Sequence, residues 1–175
     1  MVIPDVAVLL HDGEVQEDAA TCLKQIFARH SDPAVNALMQ EGYLLVQNGD
    51  FTSAIDRFDQ VVARDPQFAE GWNRRATARY LARQYQASIE DCHRAIALNP
   101  YHFGALTGLG LNYLGLKDVA SALRSFHQAD RVHPGIAVIH QHIRLLESQL
   151  AQQQQQQEGG GSGGGADPAP PPSQA

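Results

Sequence analysis

Residues 103–136 read FGALTGLGLNYLGLKDVASALRSFHQADRVHPGI, and this stretch decides the fold. Pro134, near its end, is the third of an evenly spaced series that begins with Pro66 and Pro100. A constant spacing of this kind indicates a tandem repeat, in which each unit buries its apolar face against its neighbours. The chain therefore divides into three units of equal length, 35–68, 69–102 and 103–136.

Equivalent positions of the three units carry similar residues, and the pattern predicts two antiparallel helices per unit. Small residues on both helices allow a close approach, and large residues fill the space between neighbouring units. The proline ends the second helix, because it cannot continue a helix and restricts the residue before it. The recurring columns are Leu38, Trp72 and Leu106; Gly42, Ala76 and Gly110; Ala54, Ser88 and Ala122; and Phe58, Cys92 and Phe126.

This pattern resembles the tetratricopeptide repeat (TPR) family over residues 35–136. The second unit diverges most, because Arg75 and Arg79 stand where the family usually has leucine and tyrosine. The resemblance implies an all-α fold, a right-handed superhelix of helical hairpins with about eight helices. The third unit carries the family's signature types at Leu109, Gly110, Tyr113, Ala122, Phe126, Ala129 and Pro134.

The flanking segments are predicted to cap the stack. Residues 1–34 are predicted to form an arm and a capping helix that ends at Asp32–Pro33. Residues 137–151 repeat apolar side chains at three- and four-residue intervals, which is typical of a capping helix at the C-terminal edge. Residues 152–175 are rich in Gln, Gly and Pro and are predicted to be a disordered tail.

Composition excludes several classes of protein. The chain has 13 Lys and Arg residues against 19 Asp and Glu residues, a net charge of −6, so we expect no nucleic-acid partner. No apolar run approaches the ~20 residues of a membrane-spanning helix, so we expect no integral membrane segment. The N-terminal residues lack the features of a targeting signal, so a cytoplasmic location follows by default, with an organelle left open.

No residue pattern predicts catalysis. The glycines of 108–115 lie within a predicted helix and match neither a phosphate-binding loop nor a dinucleotide fingerprint. The eight histidines form no cluster with metal-ligand spacing, and the two cysteines form no CxxC pair. We therefore expect no enzyme activity, no cofactor and no metal site.

The TPR resemblance implies a concave face lined by the first helix of each unit, at its second, fifth, ninth, twelfth and thirteenth positions. These positions are largely neutral, with aromatic and aliphatic anchors that suit a peptide or an amphipathic helix. The candidate groove residues are Asn36, Met39, Tyr43, Val46 and Gln47 in unit one; Glu70, Asn73, Thr77, Tyr80 and Leu81 in unit two; and Gly104, Thr107, Leu111, Leu114 and Gly115 in unit three, with Gly108 beside them.

Two features of the first helices lead to further hypotheses. Gly104, Gly108 and Gly115 are hypothesised to clear space for close approach by a partner backbone. Arg75 is predicted to pair with Glu41 of the preceding unit, in preference to contacting an acidic ligand.

One TPR subclass holds the acidic tails of heat-shock chaperones with a carboxylate clamp. None of the matching positions here has the required residue type, so that function is disfavoured. They are Met39, Tyr43, Arg74, Gly104 and Gly108.

The sequence therefore predicts a non-catalytic adaptor or assembly factor that binds a protein segment in the TPR groove. The alternative is a structural protein that associates with itself through the flanking helices or the glutamine-rich extension, as a homo-oligomer. A co-chaperone and an enzyme subunit are disfavoured.

Overall fold

The computed structural model describes residues 30–159, and every regular element in that range is a helix. Six helices form three hairpins, one for each predicted unit, so the predicted TPR solenoid is confirmed. The segments predicted to form an N-terminal arm and a capping helix, and the residues beyond 159, lie outside the described residues. The helices are α1 (Pro33–Gln47), α2 (Phe51–Arg64), α3 (Ala69–Leu81), α4 (Tyr85–Leu98), α5 (Phe103–Gly115), α6 (Val119–Val132) and α7 (Ala137–Gly159).

The turn inside every hairpin has the same geometry. Gly49, Arg83 and Lys117 occupy the same position in their three units and adopt left-handed φ angles of 79°, 61° and 62°. The amide N–H of the next residue donates to the carbonyl five residues earlier, over 2.8 to 2.9 Å in all three turns. This Schellman motif satisfies carbonyl groups at the end of the first helix and turns the chain back on itself.

The residue after each left-handed position begins the second helix. Asp50 accepts a hydrogen bond from the amide of Ser53, and Asp118 accepts one from the amide of Ser121, as helix N-caps do. Gln84, at the same place in unit two, makes no side-chain cap bond. The N-terminus of α4 therefore lacks a stabilising contact that α2 and α6 have.

Asp32 and Pro33 begin α1. The Asp32 carboxylate accepts a hydrogen bond from the amide of Ala34, and Pro33 occupies the first turn, where its missing N–H costs no hydrogen bond. The three repeat prolines behave differently, since Pro66, Pro100 and Pro134 each follow a second helix that has already ended. The capping helix predicted before Asp32–Pro33 lies outside the described residues and stays a prediction; within those residues, Asp32 and Pro33 open the repeat array.

Each hairpin packs a small residue of its first helix against a larger residue of its second. A Cβ atom on Gly42 would lie 2.6 Å from the Phe58 ring, and one on Gly110 would lie 2.7 Å from the Phe126 ring. Unit two has the larger Ala76 in this column, and its second helix carries the smaller Cys92 opposite. The two columns thus compensate in volume from unit to unit, as close packing requires.

A charged network replaces apolar packing at the centre of unit two. Arg75 binds the buried Asp91 carboxylate through two nitrogens, at 2.7 and 3.0 Å, and binds Asp59 of α2 at 2.5 Å. Arg79 donates to Asp91 as well, over 2.9 Å. Burial by itself lowers the pKa of Arg75, but hydrogen bonds to Asp91 and Asp59 and their charges outweigh it, so the pKa lies above its ordinary value.

The predicted ion pair between Arg75 and Glu41 is wrong. Glu41 pairs with Arg57 of its own hairpin at 3.1 Å, and the partner of Arg75 in the preceding unit is Asp59. The reason is geometric, since the Arg75 side chain extends between α2 and α4, and their carboxylates meet it there. Pairing between units does occur, but with the second helix of unit one.

The helix after the third unit packs on α6. Ile139, Ile143 and Leu146 of α7 are buried in one cluster with Phe126 and Leu106. α7 continues through the glutamine run to Gly159, beyond the predicted boundary at residue 151.

Candidate functional site: the groove along the first helices

A depression lies between the first helices of units one and two. Its volume is about 570 Å³, and candidate residues Asn36, Met39 and Tyr43 of α1 line it together with Arg74 of α3. Tyr43 is 50% exposed, so its aromatic ring is available for contact. Pro33, Ala37 and Gln40 complete the lining.

A buried polar cluster lies at the edge of this depression and joins α3 to α5. The carboxylate of Glu70 accepts from Arg74 Nε at 2.6 Å and from the Asn73 side-chain amide at 3.2 Å, and its Oε2 lies 2.9 Å from His102 Nε2. His102 Nδ1 accepts the amide N–H of Ala105 and so caps α5. Its other nitrogen therefore carries the proton and donates to Glu70. Glu70 and His102 are both almost fully buried.

This cluster explains why Glu70 and Asn73 contribute little exposed surface to the groove. Glu70 neutralises the charge of Arg74 and helps to hold unit three against unit two, as a buried carboxylate must be paired. Sequence reasoning missed His102. Its place directly before α5 is a signal for an N-cap residue, but the bond to Glu70 depends on how α3 and α5 pack.

The remaining candidates differ in exposure. Thr77 and Leu81 are exposed on α3, whereas the Tyr80 ring packs against the ring of Tyr85, with centroids 5.8 Å apart. Thr107 is half-buried on α5. On α1, Val46 is half-buried and Gln47 is exposed; on α5, Leu111 and Leu114 pack partly against the core cluster.

The glycines of α5 make room for neighbours within the chain. A Cβ on Gly115 would lie 2.6 Å from the Tyr85 ring, and one on Gly104 would lie 3.3 Å from the Asn73 amide. The hypothesis that Gly115 clears space for a partner is therefore wrong, since the Tyr85 ring fills that space. Gly104 is exposed, and for this residue the hypothesis stays a prediction. Gly108 is less crowded, because the nearest atom to its Cβ would be the Cys92 sulfur at 3.4 Å.

No group of three or more His, Cys, Asp or Glu side chains within residues 30–159 is arranged to hold a metal ion. Over the same residues, no helix is long and apolar enough to cross a membrane. Cys92 is a buried free thiol, and burial, followed by the charge of Asp91, raises its pKa to about 12. The thiol is thus protonated at neutral pH and a poor nucleophile.

The profile of the tetratricopeptide repeat family matches residues 39–103. The hairpins of this chain are thus similar to tetratricopeptide repeats in sequence and in fold. A TPR repeat-containing protein of Rhizobium etli is 27% identical over 117 residues, which cover 67% of this chain and 57% of that protein. Human tetratricopeptide repeat protein 36 is 30% identical over 87 residues, 50% of this chain and 46% of that protein. The chain thus spans about half the length of these two relatives.

Solved TPR structures share the fold. The first TPR of Spaghetti (RPAP3), bound to the HSP90 peptide SRMEEVD, aligns with a TM-score of 0.65 and 21% identity. The alignment covers 67% of this TPR chain and 93% of that one. At this identity the likeness shows a shared fold and carries no information on the ligand.

Proposed function

We propose that this TPR chain is a non-catalytic adaptor or assembly factor that binds a protein segment along α1, α3 and α5. The observation that carries the proposal is the depression of about 570 Å³ beside the half-exposed Tyr43. An aromatic ring next to an open apolar and amide-lined surface is the type of anchor that dominates protein recognition. The TPR fold supports the coarser assignment, a protein-interaction module.

Acidic chaperone tails are not the proposed ligand. Of the five clamp positions only Arg74 is cationic, and its charge is already paired with Glu70 at 2.6 Å. A terminal carboxylate placed there would lose its water without gaining free donors, which is unfavourable. We therefore do not propose an HSP90 peptide as the ligand, although the chain shares its fold with a domain bound to one.

Affinity capture with quantitative mass spectrometry tests the proposed groove. The baits are the full chain, Tyr43→Asp and the matched control Tyr101→Asp, which alters a tyrosine 39% exposed in the loop between α4 and α5. We expect Tyr101→Asp to capture the same proteins as the unaltered chain, and Tyr43→Asp to lose a subset of them. If folded Tyr43→Asp retains every captured protein, the groove is not the binding site.

Self-association stays a prediction as the alternative. Leu44 is exposed on α1, although its equivalents Ala78, Asn112 and Leu146 are buried against the preceding unit. Sedimentation velocity at several concentrations distinguishes the two functions, because a self-associating chain changes its sedimentation coefficient with no ligand present. The cytoplasmic location and the absence of a nucleic-acid partner also stay predictions.

A further inference from the structure

The helix α7 occupies the place of a fourth first helix. The first helices α3 and α5 begin at Ala69 and Phe103, and α7 begins at Ala137, after the same number of residues again. Its buried residues Ile139 and Leu146 occupy the third and tenth positions. The equivalent residues of α3 and α5 are buried as well, namely Gly71 and Ala78, and Ala105 and Asn112. α7 therefore packs against α6 of unit three, as α5 packs against α4 of unit two.

The exposed apolar residues of α7 coincide with groove positions. Val138 is 53% exposed and Leu145 is 57% exposed, at the second and ninth positions of the register. The ninth position is occupied by Tyr43 in α1, by Thr77 in α3 and by Leu111 in α5. The ninth register position thus carries an exposed or half-buried side chain on all four helices.

The face of α7 on which a second helix would pack is polar. In unit three, α5 meets α6 through Leu106, Gly110 and Tyr113. If a second helix were missing here, this face of α7 would be apolar. The exposure of Val138 and Leu145 is therefore not explained by a missing second helix. The residues of α7 at the three equivalent positions are His140, Arg144 and Glu147.

Charge at the groove positions limits what can bind there. Across the groove positions of the four helices, Glu70 is the only Asp, Glu, Lys or Arg, and its carboxylate is neutralised within the fold by Arg74. A charged segment bound there would give up hydration with no counter-charge in return, whereas aliphatic and aromatic side chains would gain by burial. The groove positions of α7 are Val138, Gln141, Leu145, Ser148 and Gln149.

We propose that the binding surface extends from α1 onto α7, with Val138 and Leu145 as its terminal anchors. Its occupant is an uncharged protein segment that presents aliphatic or aromatic side chains to this surface. This inference rests on the proposed function and adds the extent of the site and the chemistry of the partner.

To test this, a display library of random 16-residue peptides is selected for binding to the full chain. Enriched peptides are synthesised, and their dissociation constants are measured for the unaltered chain, Tyr43→Ala, Leu145→Glu and Leu116→Glu. Leu116→Glu is the matched control, since Leu116 is 45% exposed and lies in the turn after α5, outside the groove positions. We expect Leu145→Glu to weaken binding about tenfold or more, as loss of an anchor does, and Leu116→Glu to change it by less than about twofold.

The outcomes separate the two proposals. If Tyr43→Ala weakens binding and Leu145→Glu does not, the groove binds peptides but ends at α5, and the extension is overturned. If neither folded variant weakens binding, the proposed function is overturned with it. If the enriched peptides are acidic or basic, or if no peptide is enriched, the proposal of an uncharged bound segment is overturned. Thermal melts of each variant establish that it is folded.

Discussion

Gly108 and Gly110 lie on the same helix but face different neighbours. A Cβ at Gly110 would lie within 2.9 Å of three atoms of the buried Phe126 ring, whereas a Cβ at Gly108 would meet only the Cys92 sulfur, at 3.4 Å. We therefore expect Gly110→Ala to lower the free energy of unfolding by about 1–3 kcal/mol through overpacking. We expect Gly108→Ala to raise it by about 0.5–1 kcal/mol, because alanine favours a helix interior over glycine.

Urea denaturation of the two variants measures both changes, and each variant serves as the control for the other. A result in which both substitutions stabilise the protein would mean that the Phe126 ring can move aside. The pair also separates two roles of glycine, close helix packing at Gly110 and an open helix surface at Gly108. Both residues lie in the run 108–115, but only Gly110 belongs to the recurring column of small residues, and the Phe126 ring of α6 packs on it.

At the scale of the helix, the missing N-cap of α4 gives a prediction. Gln84→Asp places at α4 the residue type that caps α2 at Asp50 and α6 at Asp118. We expect it to raise the free energy of unfolding by about 1 kcal/mol, because the short carboxylate can accept a backbone N–H of the first turn. Gln84→Glu is the control, since it adds the same charge on a longer side chain that caps poorly. Equal stabilisation by both substitutions would assign the gain to charge at the helix N-terminus.

The charged network of unit two gives a second prediction at this scale. Arg75→Leu leaves the buried Asp91 with Arg79 as its remaining arginine partner, and we expect a loss of about 3 kcal/mol of unfolding free energy. Arg94→Leu is the control, because Arg94 is exposed and its guanidinium lies 5.8 Å from the Trp72 ring centroid; we expect a change within about 0.5 kcal/mol.

Replacement of the whole network tests whether the loss in Arg75→Leu comes from the buried charge that it leaves without its partner. Unit three carries Leu109, Tyr113 and Ser125 at the equivalent positions. The triple variant Arg75→Leu/Arg79→Tyr/Asp91→Ser, which copies them, should recover most of the stability that Arg75→Leu loses, since no buried charge is left unpaired. Chemical denaturation checks this; a triple variant less stable than Arg75→Leu would show that the network itself stabilises unit two.

These elements also show what the sequence could predict. The prolines and small residues recur at one fixed spacing, so the helices and their order follow from periodicity. The partner of Arg75 does not, because units one and two offer several carboxylates, among them Glu41, Asp59 and Asp91. The choice among them depends on how α2 and α4 pack around α3. The Glu70–His102 contact is hidden for the same reason, and so is the tyrosine that fills the space beside Gly115.

At the scale of the whole molecule, Cys92 reports on unfolding. It is buried in unit two, with neighbours on both sides along the stack, and its pKa is raised to about 12. We expect it to resist maleimide in native buffer up to about pH 9, and to react at the rate at which the domain opens. Mass spectrometry of Cys22→Ser measures this, because Cys92 is then the sole cysteine. Labelling as fast as that of a small thiol would contradict the burial.

The common geometry of the hairpin turns has a consequence for how such a molecule can grow. Each left-handed turn residue is followed, two positions later, by the first residue of a second helix, in the same phase in all three units. A duplicated copy of residues 85–118 inserted after Asp118 would therefore keep every later helix in phase. The two ends would keep their own neighbours, and the row of Tyr43, Thr77, Leu111 and Leu145 would gain one member. The binding surface of this architecture can thus be lengthened by duplication of a unit, without a change to any existing contact between helices.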